Sequence, residues 1–294
     1  MKIVRHRVDG VLLLDKPVGL SSNAALQKAK WLLAALKAGH TGTLDPFADG
    51  LLPLCFGEAT KFSAFLLDSD KRYRATMRLG ITTTTGDPEG EVLTERPVEV
   101  RCDEMTAVLP RFLGEIAQVP PMHSALKHQG RPLYEYARAG IEIDRPPRQV
   151  RIAALDLLEC VPPRVVFDVQ CSAGTYVRTL AQDIGAALGC GAHLTGLTRT
   201  AAGGFDLAQA QRLDTLETLP LEARRALLLP PDCLVAHLPA LQLDACDAAA
   251  LRQGRTVALT GSVSGLVRVY LGADFVGLAD AENGTLKPRR LMAT

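Results

Sequence analysis

Gly39-His40-Thr41-Gly42-Thr43-Leu44-Asp45-Pro46-Phe47-Ala48-Asp49-Gly50-Leu51-Leu52 is the stretch on which the reading of this chain turns. It crowds glycines, hydroxyls, a histidine and aspartates between a helical segment and an apolar run. Loops of this kind lie at the surface and hold functional groups when the scaffold beneath them is rigid. Taken alone, the stretch leaves two readings open. In one, Asp45-Pro46 starts a bend and the threonines satisfy backbone groups. In the other, the loop carries chemistry.

The flanking sequence supplies the scaffold. Val11-Leu12-Leu13-Leu14 reads as a short buried strand stopped by Asp15-Lys16-Pro17. Ser21-Ser22-Asn23 offers cap oxygens to a helix over 24–36, which Gly39 is placed to end. Residues 71–79 alternate cleanly: Tyr73, Ala75, Met77 and Leu79 share one face, and Arg72, Arg74, Thr76 and Arg78 the other. That pattern predicts a half-buried strand with a basic outer face. Residues 101–112 look helical. Residues 120–151 are Pro-rich and basic, and read as an insertion with a short helix at 134–138. Strands at 152–160 and 164–171 meet at Pro162-Pro163, and a helix over 175–188 ends at Gly189-Cys190-Gly191.

A boundary near Leu229-Pro230-Pro231-Asp232 predicts two domains, 1–235 and 240–294. The second has a helix over 244–252, several short strands and an Asn283-Gly284 hairpin turn, which together suggest a small β-barrel. The 294 residues suit one large domain or two ordinary ones, and 47% hydrophobic content suffices for a core.

Composition excludes more than it suggests. Lys plus Arg is 33 and Asp plus Glu 32, a net charge of +1, so any affinity for an anionic partner must be local. No apolar run reaches the roughly 18 residues of a transmembrane helix. The opening Met1-Lys2-Ile3-Val4-Arg5-His6-Arg7 lacks an apolar stretch of signal-peptide length behind it, so a cytoplasmic protein is expected. The seven cysteines are scattered, with no Cys-x-x-Cys pair. Neither a disulfide framework nor a zinc site is expected, and the cysteines read as small buried hydrophobes. Phosphate-loop, nucleophile-elbow, zincin and dinucleotide signatures are all missing. Any chemistry must come from side chains.

At this point the motifs resemble a known family. Gly39 to Leu52 is similar to the signature of the TruB family of tRNA pseudouridine synthases. Leu14-Asp15-Lys16-Pro17-Val18-Gly19-Leu20-Ser21-Ser22 resembles its first motif. Lys71-Arg72-Tyr73-Arg74-Ala75 resembles its tyrosine-bearing strand, and Thr85-Gly86-Asp87 the turn after it. Pro120 to Lys127 resembles its RNA-gripping insertion, and Gly174-Thr175-Tyr176-Val177-Arg178-Thr179-Leu180 its arginine motif. Gly265 to Val269 and Pro288-Arg289-Arg290-Leu291 resemble the RNA-binding PUA domain of its bacterial members. The likeness spans nearly the whole chain. Departures are few: Phe47 stands where Leu is usual, Asp49 where Thr or Ser is, and His123 where Tyr is common.

The resemblance implies an α+β fold. A pseudouridine-synthase domain would be built on a mixed, mostly antiparallel sheet with flanking helices, followed by a small PUA-like barrel. It implies isomerisation of uridine at position 55 in the TΨC loop of tRNA, with no cofactor, metal or guide RNA, by a monomer. By resemblance Asp45 is the nucleophile, Arg178 its partner, and Tyr73 stacks on a flipped-out base and is placed to accept the C5 proton. Tyr176 and Leu197 would wall the base, Lys16 and Pro17 support the loop, and His40 occupy the disrupted RNA loop. Asp87, Lys127 and Arg131 would contact RNA, with the basic face of 71–78 and Lys287 to Arg290 adding phosphate contacts. A non-catalytic RNA-folding factor of the same fold, a guide-RNA-dependent relative and a phosphate-loop hydrolase are the competing readings. The first leaves Asp45, Tyr73 and Arg178 without a purpose.

Overall fold

The computed structural model describes residues 4–259 and 261–293, so Met1–Ile3 of the opening segment lie outside the described residues. The strands of the larger unit are β1 (Gly10–Lys16), β2 (Ala38–His40), β3 (Asp49–Phe56), β4 (Lys71–Leu79), β5 (Ile81–Thr83), β6 (Val92–Glu95) and β7 (Gly114–Gln118). They continue with β8 (Lys127–His128), β9 (Arg131–Pro132), β10 (Arg148–Val161), β11 (Arg164–Cys171), β12 (Ala192–Ala202), β13 (Phe205–Asp206) and β14 (Gln211–Arg212). Its helices are α1 (Ser22–Leu32), α2 (Ser63–Leu67), α3 (Cys102–Val108), α4 (Leu133–Arg138), α5 (Val177–Ala187), α6 (Leu213–Thr218) and α7 (Leu221–Ala226).

One mixed sheet organises this unit, in the order β14-β1-β3-β12-β4-β11-β10-β7. Among the described residues of this sheet, only β1–β14 and β3–β12 pair in parallel. The apolar run of β1 is explained by burial on both faces. Leu12 and Leu14 join the core beneath α1, α3 and α5, while Val11 and Leu13 join a second core on the opposite face. β4 alternates as its sequence predicts, with Ala75, Met77 and Leu79 buried and Arg72, Arg74 and Arg78 exposed. α1 is capped by Ser21, whose hydroxyl accepts from the Ala24 amide.

The helix ends sooner than its composition suggested. Leu33 closes it and Ala34 turns left-handed (φ 50°), so Gly39 is not its stop and instead lies within β2.

The chain after 240 forms β15 (Ala240–Gln242), α8 (Ala245–Arg252), β16 (Val257–Ala258), β17 (Gly265–Leu271), β18 (Asp274–Glu282) and β19 (Thr285–Leu291). These strands make a five-stranded sheet in the order β15-β17-β18-β19-β16, curled and open rather than a closed barrel among the described residues. Asn283 and Gly284 both take positive φ (50° and 69°), as a tight primed hairpin turn requires. This unit has its own core around Leu251, Val267, Val269, Val276 and Leu286. It also shares the second core of the large sheet: Leu278 is buried with Val11, Leu13, Phe62, Leu234 and Val235.

Cysteine behaviour departs from expectation. Cys102 at the start of α3 and Cys160 near the end of β10 form a disulfide. Their separation of 58 residues gave no spacing signal; the packing of α3 on β10 brings them together. Cys55, Cys171 and Cys190 are buried as expected, but Cys233 is half-buried and Cys246 exposed.

Candidate active site

The Gly39–Leu52 stretch crosses from β2 to β3 as a loop fastened at several points. Ser22 Oγ accepts from the Leu44 amide (2.7 Å) and donates to the Leu44 carbonyl (2.8 Å). The Thr41 amide donates to the Pro53 carbonyl and the Gly19 amide to that of Pro46. Leu44, Phe47 and Ala48 turn into the core. Between these anchors Asp45 projects outward, its side chain 33% exposed.

Arg178 meets it from the second residue of α5, with Nε 3.0 Å from Asp45 Oδ2. Its Nη1 stands 3.2 Å from Asp87 Oδ2 and donates to the Thr85 carbonyl at 2.9 Å. Its Nη2 donates to the His123 carbonyl at 2.7 Å. A cation in the first turn of a helix opposes the helix dipole, and two carboxylates offset that cost here. Burial pushes the Asp45 carboxyl above its ordinary range; Arg178 pulls it down, Asp87 pushes it up, and Lys16 pulls it down.

Asp45, Arg178, Tyr73, Tyr176 and Leu197 line one cavity of about 390 Å³, a volume suited to a small planar ligand. Ser124, Ala125 and Leu126 close it from the base of the basic insertion. Burial holds the Tyr73 phenol above its ordinary pKa, and Arg199 opposes this. Burial likewise raises the Tyr176 phenol.

The other expected site residues are dispersed around this cavity. Lys16 is fully buried behind the loop, where Nζ donates to the carbonyls of Pro17 (2.9 Å) and Leu20 (2.7 Å). Burial lowers its pKa to about 8, against the pull of Asp49 and Asp45. His40 ends β2 half-buried, with Nδ1 unpartnered, and burial lowers its pKa. Lys127 and Arg131 sit exposed on the β8–β9 hairpin, with Arg131 over the Tyr136 ring.

Asp87 differs from the expectation of an RNA contact. It is 2% exposed, and it accepts from the Thr85 hydroxyl and the Glu89 amide while bridging to Arg178. The basic face of β4 also carries less free charge than its sequence suggested. Arg74 pairs with Asp168, and Lys71 is buried with Nζ donating to the carbonyls of Leu66, Leu67 and Ser69.

Sequence reading missed Arg199. It lines the cavity, is 1% exposed, and follows Leu197 on the inward face of β12. A charged residue on the buried side of an alternating strand was the available signal.

Comparison with known proteins gives concordant matches. Residues 30–177 match the family model described as TruB family pseudouridylate synthase (N terminal domain). Residues 178–236 match the tRNA pseudouridylate synthase B C-terminal domain, and 239–292 match Pseudouridine synthase II TruB, C-terminal. The chain is 71% identical to the tRNA pseudouridine synthase B of Thiobacillus denitrificans, covering 100% of this chain and 99% of that one. It is 58% identical to that of Chromobacterium violaceum, over 98% and 96% of the two chains. Among solved structures, a chain of a Cbf5-Nop10-Gar1 complex superposes with a TM-score of 0.71 at 30% identity, covering 96% of this chain and 80% of that chain. A chain of an H/ACA RNP bound to a substrate RNA containing 2′-deoxyuridine superposes with a TM-score of 0.72 at 26% identity, over 97% and 85%.

Proposed function

This chain belongs to the TruB family of pseudouridylate synthases, and on that footing we propose that it isomerises the uridine at position 55 in the TΨC loop of tRNA, acting alone. The full-length identity to relatives named for tRNA supports tRNA as the substrate. No helix among the described residues is long and apolar enough to cross a membrane, in keeping with action on tRNA in the cytoplasm.

The observation that carries the reading is the Asp45–Arg178–Asp87 array opening onto the cavity that Tyr73 lines. In the isomerisation the C1′–N1 bond breaks and a C1′–C5 bond forms. The proton leaving C5 is balanced by one gained at N1, so nothing is added or lost overall. Asp45, paired with Arg178 and open to the cavity, acts as the nucleophile; the bond it makes to the substrate is broken again by the time the C1′–C5 bond has formed, which returns the carboxylate. Arg178 keeps that carboxylate charged and aimed. Tyr73 offers a flat face to a base that has lost its stacking partners, and its phenol oxygen is placed to take the C5 proton as it passes its own hydroxyl proton on to water.

Asp87 supports the chemistry indirectly, by fixing Arg178. Lys16 and Pro17 brace the loop from behind, and Tyr176 and Leu197 form the remaining walls. His40 lies at the loop's base and Lys127 and Arg131 on the exposed hairpin, where they serve the RNA outside the cavity. Residues 1–235 thus carry the chemistry, while 240–294 extend the RNA-contacting surface.

A test is a pair of T-arm hairpin RNAs that differ only at the target nucleotide. Pseudouridine should form in the uridine hairpin without cofactor or guide RNA. A need for a guide RNA would instead favour the kind of activity suggested by the ribonucleoprotein neighbours.

A further inference from the structure

We propose that Arg199 is a positioning residue that holds the Asp45 loop and Tyr73 in one frame across the cavity, an inference that rests on the reading of this cavity as the uridine site. Arg199 is among the largest fully buried side chains, and none of the ion pairs among the described residues includes it. A buried guanidinium without a carboxylate is expensive, and an apolar side chain of similar volume would stabilise the fold better. Packing alone therefore does not account for it.

Its bonds indicate the purpose. Nε donates to the Leu51 carbonyl at 2.7 Å and Nη2 to the Gly42 carbonyl at 3.3 Å. Those two carbonyls bracket Asp45, one before it and one after it. On the neighbouring strand Arg199 lies directly opposite Tyr73 in the β12–β4 register, so their side chains share a face. Toward β3 it lies opposite Gly50, whose φ is +95°. A Cβ on Gly50 would come within 2.5 Å of the Arg199 carbonyl oxygen, so the glycine lets β12 approach the loop this closely. The β12–β4 ladder is irregular between Arg199 and Ala201, and bulges beside active sites commonly re-aim a side chain. One side chain thus bonds to backbone on either side of the nucleophile and shares a sheet face with the strand residue expected to stack on the base.

Lys71, Tyr176 and Arg178 share the cavity with Tyr73, and the charges that move its phenol are Arg199 from β12, Cys171 from β11 and Asp45 from the loop. Of those charges only Arg199 favours the ionised phenol, which gives a readout that a merely structural residue would not move.

The experiment compares Arg199→Met, Arg199→Lys and the native full chain. It measures the single-turnover rate on saturating unmodified tRNA, tRNA affinity by filter binding, and Tyr73 ionisation by ultraviolet difference against Tyr73→Phe. The expected result is a rate loss on the order of 100-fold for Met and about tenfold for Lys, which keeps the charge but not the fork. Affinity should stay within about twofold, as for a group acting on the chemical step. The Tyr73 phenol should ionise at higher pH in Arg199→Met and near its native value in Arg199→Lys. If Arg199→Met does not fold, Arg199→Lys decides through its rate. A folded variant with a rate within twofold of native, a loss confined to affinity, or an unmoved phenol in folded Arg199→Met overturns the proposal. Failure of the native chain to make pseudouridine would overturn the functional reading instead, leaving the phenol titration to judge the Arg199–Tyr73 pairing.

Discussion

Arg178 and Asp87 form an ion pair at 3.2 Å in which both side chains are almost fully buried, at 5% and 3% exposure. The same guanidinium reaches Asp45, which is 33% exposed at the cavity. A buried carboxylate thus anchors the cation that an accessible carboxylate uses. Removing one member of a buried pair costs about 3–5 kcal/mol when the other charge is left alone; without Asp87 the guanidinium would still hold Asp45. Asp87→Ala should lower unfolding stability by less than that in denaturant titrations and slow turnover as well, because Arg178 would be held against Asp45 with one anchor fewer. Full stability and full rate in that variant would show that Arg178 needs no anchor.

Asp45→Asn should abolish turnover, retain tRNA binding and raise the melting temperature at neutral pH. The folded-state pKa of Asp45 is raised, first by burial. A raised carboxyl favours the folded protein when protonated, and that contribution is lost as pH rises through the folded value. Asparagine carries no charge to be penalised. Its advantage should be absent below the ordinary aspartate range and open as pH climbs through the raised value. Scanning calorimetry across that range checks the sign; a less stable Asn variant at neutral pH contradicts it.

The same group sets the acidic limb of the reaction. With Asp45 needed as the carboxylate, the single-turnover rate should fall on acidification with an inflection above the ordinary aspartate range. An inflection at or below that range would mean that the titrating group is not a buried carboxyl.

Affinity for tRNA should fall steeply with salt, and Lys127→Ala should flatten the dependence. Lys127 is exposed on the hairpin above the cavity and takes part in none of the ion pairs among the described residues. Each phosphate that a lysine neutralises adds about 0.7–0.9 to the steepness of the log–log plot, and the alanine variant should forgo that share. An unchanged slope would remove Lys127 from the RNA surface.

The residues after 240 are joined to the large sheet more firmly than the Pro230-Pro231 boundary suggested. Phe275 packs on Phe62 at 5.3 Å between ring centroids, and Tyr270 donates to Asp232 at 2.7 Å. Deleting 240–294 should therefore lower the melting temperature as well as tRNA affinity. Phe275→Ala should cost about 2 kcal/mol, less than the ~3–5 for a fully buried phenylalanine. A truncated chain that melts like the native protein would show the two units to be independent.

The Asp45 loop, the Tyr73 strand and the Arg178 helix were legible because each is local: a turn chemistry, an alternation and an apolar stripe. The Asn283-Gly284 turn was legible for the same reason. What escaped depends on contacts distant in sequence. Asp87 is buried only because α5 brings Arg178 over it, 91 residues along the chain. Arg199 could be flagged as a charge on the buried side of its strand, but its place beside the Asp45 loop and Tyr73 follows only once β12 is known to lie between β3 and β4. The Cys102–Cys160 link arises from packing of α3 on β10, which no spacing rule anticipates.

The most direct measurement maps pseudouridine at nucleotide resolution in an unmodified tRNA incubated with the purified full chain, without cofactor or guide RNA, beside the Asp45→Asn variant. The account predicts pseudouridine at position 55 with the native chain and none with the variant. Pseudouridine at another position, or equal conversion by Asp45→Asn, would contradict it.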